Sequence, residues 1–172
     1  MKDRRELNLL AEAGDILQRM ADGGVLCTGV DREGAQNLLT LGWGQIGRSY
    51  HGNPMFSIAV APPRYSWRFL EDVPEFVIAV PDDALRDAVH FCGTRSGRDF
   101  DDKFGAAGLT PVPSVHVRAP SVLECPINVE CHIYARVAPP HELLTPEHRL
   151  SPLEEQHTIY FAEVLGTYGW ED

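Results

Sequence analysis

The chain has 172 residues, the size of one domain, and 44% apolar with 23% charged residues is ordinary globular composition, neither disordered nor coiled-coil. Fifteen basic against 25 acidic residues leave a net charge of −10 with the cations scattered, which argues against nucleic acid or anionic lipid as a partner. No apolar run approaches the ~18 residues of a membrane-spanning helix, and the opening MKDRREL lacks the apolar core of a signal peptide, so no membrane partner and a cytoplasmic protein are expected.

Leu7, Leu10, Ala13, Leu17 and Met20 recur at helical spacing until Gly23-Gly24 stop them, which predicts an amphipathic helix over residues ~4 to 22. The apolar run VLCTGV follows, then NLLTLGWGQIG, whose glycines suit a strand running into a loop. MFSIAVAP and EFVIAVP read as short buried strands, each stopped by proline. Between them Ser66 is placed to cap a short helix, and DDALRDAVHFCGT repeats that logic, with Asp82 or Asp83 starting it, Leu85, Val89 and Cys92 as its stripe and Gly93 as its stop.

LECPINVECHIYARV carries Leu123, Cys125, Ile127, Val129, Cys131, Ile133, Ala135 and Val137 at every odd position. Such alternation predicts one long strand with a buried and a wet face, hence an antiparallel sheet or barrel, with Pro126 at an edge or bulge. PPHELLTPEHRLSPLEEQ reads as an excursion of short turns, and TIYFAEVLGTYGW as a final strand. The four cysteines read as reduced thiols; Cys125 and Cys131, six residues apart on one strand, would lie ~20 Å from each other, too far to bridge. No CxxC or CxxxH cluster is present, so no metal site is expected.

Three polar, turn-forming segments could carry chemistry. In Asn37–Gly44 an amide, a hydroxyl and glycines allow close backbone approach to a ligand, and Trp43 could wall a flat ring; a packed tryptophan at a strand end is the plainer alternative. Pro63-Arg64-Tyr65-Ser66 sets a guanidinium beside a helix start, a seat for phosphate or an ordinary cap with a surface salt bridge. Thr94–Asp99 and the following Asp101-Asp102-Lys103 gather two arginines, a lysine, two hydroxyls and a glycine in an otherwise acidic chain. That reversal of sign suits a bound phosphate, unless Asp99, Asp101 and Asp102 neutralise the cations themselves. His157, just before the last strand, could donate to a substrate or cap a turn.

Taken in this order, NLLTLGWGQIG, PPRYSW, EFVIAVP, FCGTRSGRDFDDKF with GLTP, PSVLECPINVEC and HTIYFAEV resemble the flavin reductase-like family of FMN-binding split barrels, its flavoredoxin-type branch above all. The resemblance implies a mostly β fold with peripheral helices, a six-stranded antiparallel Greek-key split barrel, in a single domain spanning residues 1–172. It implies a homodimer with FMN near the subunit interface and NAD(P)H as a possible co-substrate. By position, Asn37, Leu38, Leu39 and Thr40 would line the flavin ring and ribityl chain, with Trp43 bordering the pocket. Arg64, Tyr65 and Ser66 would meet the ribityl or phosphate part, while Ser96, Gly97 and Lys103 close on the phosphate. His157 would stand near the ring, where nicotinamide stacks. The chain departs from the family at several of these points: Leu39 replaces a methionine, Ala61 an arginine, and Glu155 and Ala162 an aspartate and a glycine around His157. The stretch running to Lys103 also holds one residue more than the usual spacing, which changes where that side chain can point.

The function implied is an NAD(P)H-dependent flavin reductase, in which hydride passes to bound FMN. An FMN electron carrier served by a redox partner protein is the alternative from a different class. A barrel that has lost FMN or holds another small molecule is the third.

Overall fold

The computed structural model describes residues 3–142, 144–145 and 152–171. Of the expected excursion between Pro139 and Gln156, residues 143 and 146–151 lie outside those described; Leu153–Glu155 form one 3-10 turn.

The chain begins with a difference from the sequence reading. Residues Arg4–Glu6 (β1) are a strand, and the helix (α1) runs only over Leu9–Ala21. Asn8 is the reason for the boundary: its side chain accepts hydrogen bonds from the N–H of Leu10 (2.9 Å) and Ala11, the ordinary way to begin a helix. Ahead of it, Arg4, Arg5 and Glu6 pair with Trp170, Gly169 and Tyr168, partners that helical periodicity could not reveal. The glycine stop holds, with Gly23 and Gly24 at φ +152° and +104°.

Strands β2 (Val25–Val30), β3 (Gln36–Leu41), β4 (Gly44–Arg48) and β5 (Pro54–Val60) follow, then helix α2 (Trp67–Asp72) and strand β6 (Glu75–Val80). Helices α3 (Arg86–Thr94) and α4 (Lys103–Ala106) precede a small ladder of β7 (Pro111–Val112) and β8 (Ser121–Val122). Two long strands, β9 (Ile127–Val137) and β10 (Thr158–Trp170), close the chain.

All strands but β7 and β8 join one antiparallel sheet in the order β3-β2-β6-β9-β10-β5-β4, and β1 pairs with the far end of β10. The two ends of that order, β3 and β4, are linked only by Gly42-Trp43, a span of three Cα steps or about 11 Å. The sheet must therefore curl until its edges nearly meet, yet β3 and β4 share no ladder, and the barrel is split there. The sheet has eight strands where six were expected, because β1 adds one and the glycines flanking Trp43 divide NLLTLGWGQIG into two.

The barrel interior holds Cys27, Phe56, Ile58, Phe76, Ile78, Val129, Cys131 and Tyr160, capped by Leu9, Ile16 and Met20 of α1. Strand β2 is buried on both faces and β6 over most of its length. Their outer sides lie under α3 and α4, through Val89, Cys92 and Phe104, and under Val117 and Ala119.

β9 corrects the expected wet face. The ladder starts at Ile127, so Leu123–Pro126 stand outside it and Cys125 does not share a strand with Cys131; all four cysteines are free. Asn128 and Glu130, read as solvent-facing, are fully buried. The side-chain oxygen of Asn128 accepts from the Val122 N–H (2.8 Å), and its amide donates to the carbonyls of Val122 and Cys125. The Glu130 carboxylate accepts from the N–H groups of Val115 (2.8 Å) and His116 (2.6 Å). Buried polar groups are tolerated where they are satisfied in this way.

Among the described residues no helix is long and apolar enough to cross a membrane, and no group of three or more His, Cys, Asp or Glu is arranged around a metal position.

Candidate functional site

At the split, the last residues of β3, the Ala61–Ser66 turn and the end of α3 with the 94–98 turn enclose a cleft of ≈ 330 Å³. That volume is within the range of small-molecule sites. Of the residues expected at the site, Leu39, Thr40, Trp43, Arg64, Tyr65, Ser66, Ser96, Gly97, Lys103 and His157 line it. Asn37 and Leu38 do not: both are buried behind the wall.

Two of the three segments are tied together through Asn37. Its amide donates to the Ser66 hydroxyl (2.7 Å), so Ser66 stands at the helix start without capping it, a change from the expected cap. The amide oxygen of Asn37 is buried without a hydrogen-bond partner and lies against Gly97. A Cβ on Gly97 would run into that oxygen and come within 2.9 Å of the Tyr65 ring, so only glycine lets the 94–98 turn sit this close. Gly93 is similar, since a Cβ there would meet Thr40 at 3.2 Å.

Several hydroxyls and amines are already engaged. Thr40 donates to the Val89 carbonyl (2.6 Å), and the Ser96 oxygen accepts from the Arg98 N–H (3.3 Å), which leaves the Ser96 proton free. Lys103, only 5% exposed, donates to the carbonyls of Leu38 (2.8 Å) and Cys92 (3.1 Å). Burial holds its pKa below the usual lysine value, opposed by the neighbouring Cys92 thiol. The same burial pushes the Cys92 thiol up to about 11, so it is no nucleophile at neutral pH.

At the mouth Trp43, half exposed, faces His157 with ring centroids 5.1 Å apart and planes tilted by 48°. His157 Nδ1 lies 3.0 Å from the Glu155 carbonyl. A carbonyl oxygen only accepts, so Nδ1 carries the proton; the neutral ring then offers a lone pair at Nε2 and becomes a donor there only as imidazolium.

The charge on the cleft wall is one-sided. Arg64, Arg95, Arg98 and Lys103 line it, and among the described residues no aspartate or glutamate does. Among the described residues none of the three arginines takes part in an ion pair. The alternative in which Asp99, Asp101 and Asp102 neutralise them is not what the described residues show: none of the three forms an ion pair, and Asp102 instead caps α4 by accepting from Gly105 N–H (2.9 Å). Arg95 and Arg98, absent from the expected site residues, were detectable as the local reversal of sign in an acidic chain.

Fold and site together define a small split barrel whose open seam is a cation-lined cleft beside an aromatic rim. The chain matches the family described as "Flavin reductase like domain" over residues 17–172, and it belongs to that family. Among solved structures it is similar to the flavoredoxin of Desulfovibrio vulgaris (Miyazaki F), 26% identical with a TM-score of 0.67, over 84% of this chain and 67% of that one. It shares its fold with an FMN-binding domain of flavin reductases-like enzyme from Shewanella baltica OS155, 18% identical with a TM-score of 0.68, over 98% and 78% of the two chains. An uncharacterized protein of Pyrococcus abyssi is 40% identical over 81 residues, 46% of this chain and 45% of that protein. The chain spans about half the length of the curated relatives it matches.

Proposed function

We propose that the cleft binds FMN and that the domain is an NAD(P)H-dependent flavin reductase. One observation supports this most: among the described residues, three arginines without carboxylate partners share a wall that no acid lines, in a chain of net charge −10. The residues present fit the group. Arginine and the free Ser96 proton suit a phosphate, and Trp43 offers an aromatic edge.

Bound FMN would supply the two-electron chemistry, taking hydride from a nicotinamide and passing electrons to free flavin or another acceptor. The chain's part is to bind and orient. As an edge strand, β3 leaves alternate N–H groups without a ladder partner, and donors of that kind would hold negative charge on a reduced ring. Trp43 and His157 would form the rim where nicotinamide stacks, with His157 donating from Nε2 only when protonated. The same reading takes residues 1–172 as one cytoplasmic domain working as a homodimer, with exposed Tyr134, Val137 and Leu165 as apolar surface for the second copy to cover.

The test is the visible spectrum of the purified protein, followed by NADH or NADPH without air. A yellow protein that bleaches within the turnover time is expected; a colourless one that gains no flavin on soaking overturns the reading. The 26% likeness to a flavoredoxin favours a second reading, an FMN electron carrier served by a redox protein. Yellow protein that neither nicotinamide bleaches would select it.

A further inference from the structure

Lys103 and Arg98 both line the cleft, but their side chains are differently committed. Two of the three Lys103 ammonium donors are spent on the carbonyls of Leu38 in β3 and Cys92 in α3, adjoining elements that both line the cleft. Asp102 caps α4, so Lys103 sits at the first residue of that helix with its side chain turned back between the two walls.

Arg98 has no such commitment. Its guanidinium lies 5.2 Å from the centroid of the Tyr65 ring, while Arg68, which also covers that ring at 4.5 Å, donates to the Tyr65 hydroxyl (2.8 Å) and pairs with Asp31 (3.5 Å). Arg98 is thus steadied by an aromatic ring, has no carboxylate partner among the described residues, and its backbone N–H bonds the Ser96 oxygen beside it. Arg64, Arg95 and Arg98 are all exposed, but of the three Arg98 alone lies over an aromatic ring among the described residues. An arginine held in place before the ligand arrives loses less freedom on binding and presents a planar fork to phosphate.

Resting on the FMN reading, we propose that Arg98, with Ser96, recognises the phosphate charge in this chain. Lys103 is instead a positioning residue that fixes the spacing between β3 and the end of α3. The buried ammonium does this through backbone: burial alone lowers its pKa, and the two carbonyls it donates to favour the charged form.

The experiment compares the dissociation constants of FMN and of riboflavin, the same ring without phosphate, for the flavin-free protein and its Arg98→Gln and Lys103→Met variants. Arg98→Gln is expected to weaken FMN by at least about tenfold, the loss of one charge-assisted hydrogen bond, and to leave riboflavin within about twofold. Lys103→Met is expected to weaken both flavins by a similar factor and to blur the fine structure of the bound flavin's visible band, because the ring-side wall is no longer held. Should Lys103→Met fail to fold, Lys103→Gln serves in its place, keeping a donor without the charge. A Lys103 variant that loses FMN and keeps riboflavin overturns the inference, as does an Arg98→Gln protein with its FMN preference intact. A Lys103 variant with a lower Tm but unchanged affinities and spectrum overturns the positioning role. Wild-type protein that binds neither flavin sinks the FMN reading itself, a result distinct from the others.

Discussion

Two arginine-bearing regions of this molecule differ in one respect. Around α2, Arg32 pairs with Asp72 (2.9 Å), Arg68 with Asp31, and Arg136 with Glu71, whose carboxylate also accepts from Tyr160. Around the cleft, Arg64, Arg95 and Arg98 face no carboxylate among the described residues. In a chain with ten more acidic than basic residues, pairing is the expected fate of an arginine, so its absence locates a place where the acids have been kept away. Solvent-exposed pairs contribute only ~0–1 kcal/mol each, so the α2 face is modest in energy; the cleft differs in what it is free to bind.

Placing an acid in the cleft would make the two regions alike. Ser96→Asp should weaken FMN by roughly a hundredfold, since it removes a donor and sets a carboxylate against the phosphate, as read by flavin fluorescence quenching. Arg64→Ala should cost about tenfold in the same titration, with Tm unchanged within about a degree, because that exposed side chain bonds nothing the fold depends on. On the other face, Arg32→Ala should leave flavin affinity unaltered and lower stability by less than about 1 kcal/mol in urea melts. An effect of Arg32→Ala on flavin as large as that of Arg64→Ala would erase the distinction. The smallest effect concerns thiols. Burial raises the pKa of Cys27, Cys125 and Cys131, and Cys92 reaches about 11, so native protein at pH 8 should resist alkylation until denaturant is added. If one thiol reacts first it should be Cys92, which alone among them touches the cleft.

Much of the fold was legible in the sequence because burial dictates alternation. β5 and β6 stood out as apolar runs stopped by proline, β2 as a short apolar run, β10 as a final strand, and the helix of α1 as a stripe. What was not legible depended on distant partners. Three residues of β1 form a strand only because the end of β10 is there to receive them. Asn128 and Glu130 look wet in sequence, and they are buried because backbone from the 113–126 segment satisfies them. The site followed the same division. Turn residues and a local cluster of cations marked its loops, whereas the commitment of Lys103 to two carbonyls, and of Asn37 to Ser66 behind the wall, needed three dimensions.

That 113–126 segment has a further consequence. It contributes only the two-residue strand β8 to a ladder, and elsewhere it is clasped by side chains: Thr28 donates to the Pro120 carbonyl (2.6 Å), Glu75 accepts from the Arg118 N–H (2.6 Å), and Asn128 and Glu130 hold the rest. A flap fastened by residues of β2, β6 and β9 can detach as a unit without unzipping any of those strands. Its amide protons at 115, 116, 118 and 122 should exchange with solvent together and sooner than those of the strands beneath. Each such excursion would wet the Glu130 carboxylate, so the buried charge that secures the flap also makes its loosening less costly.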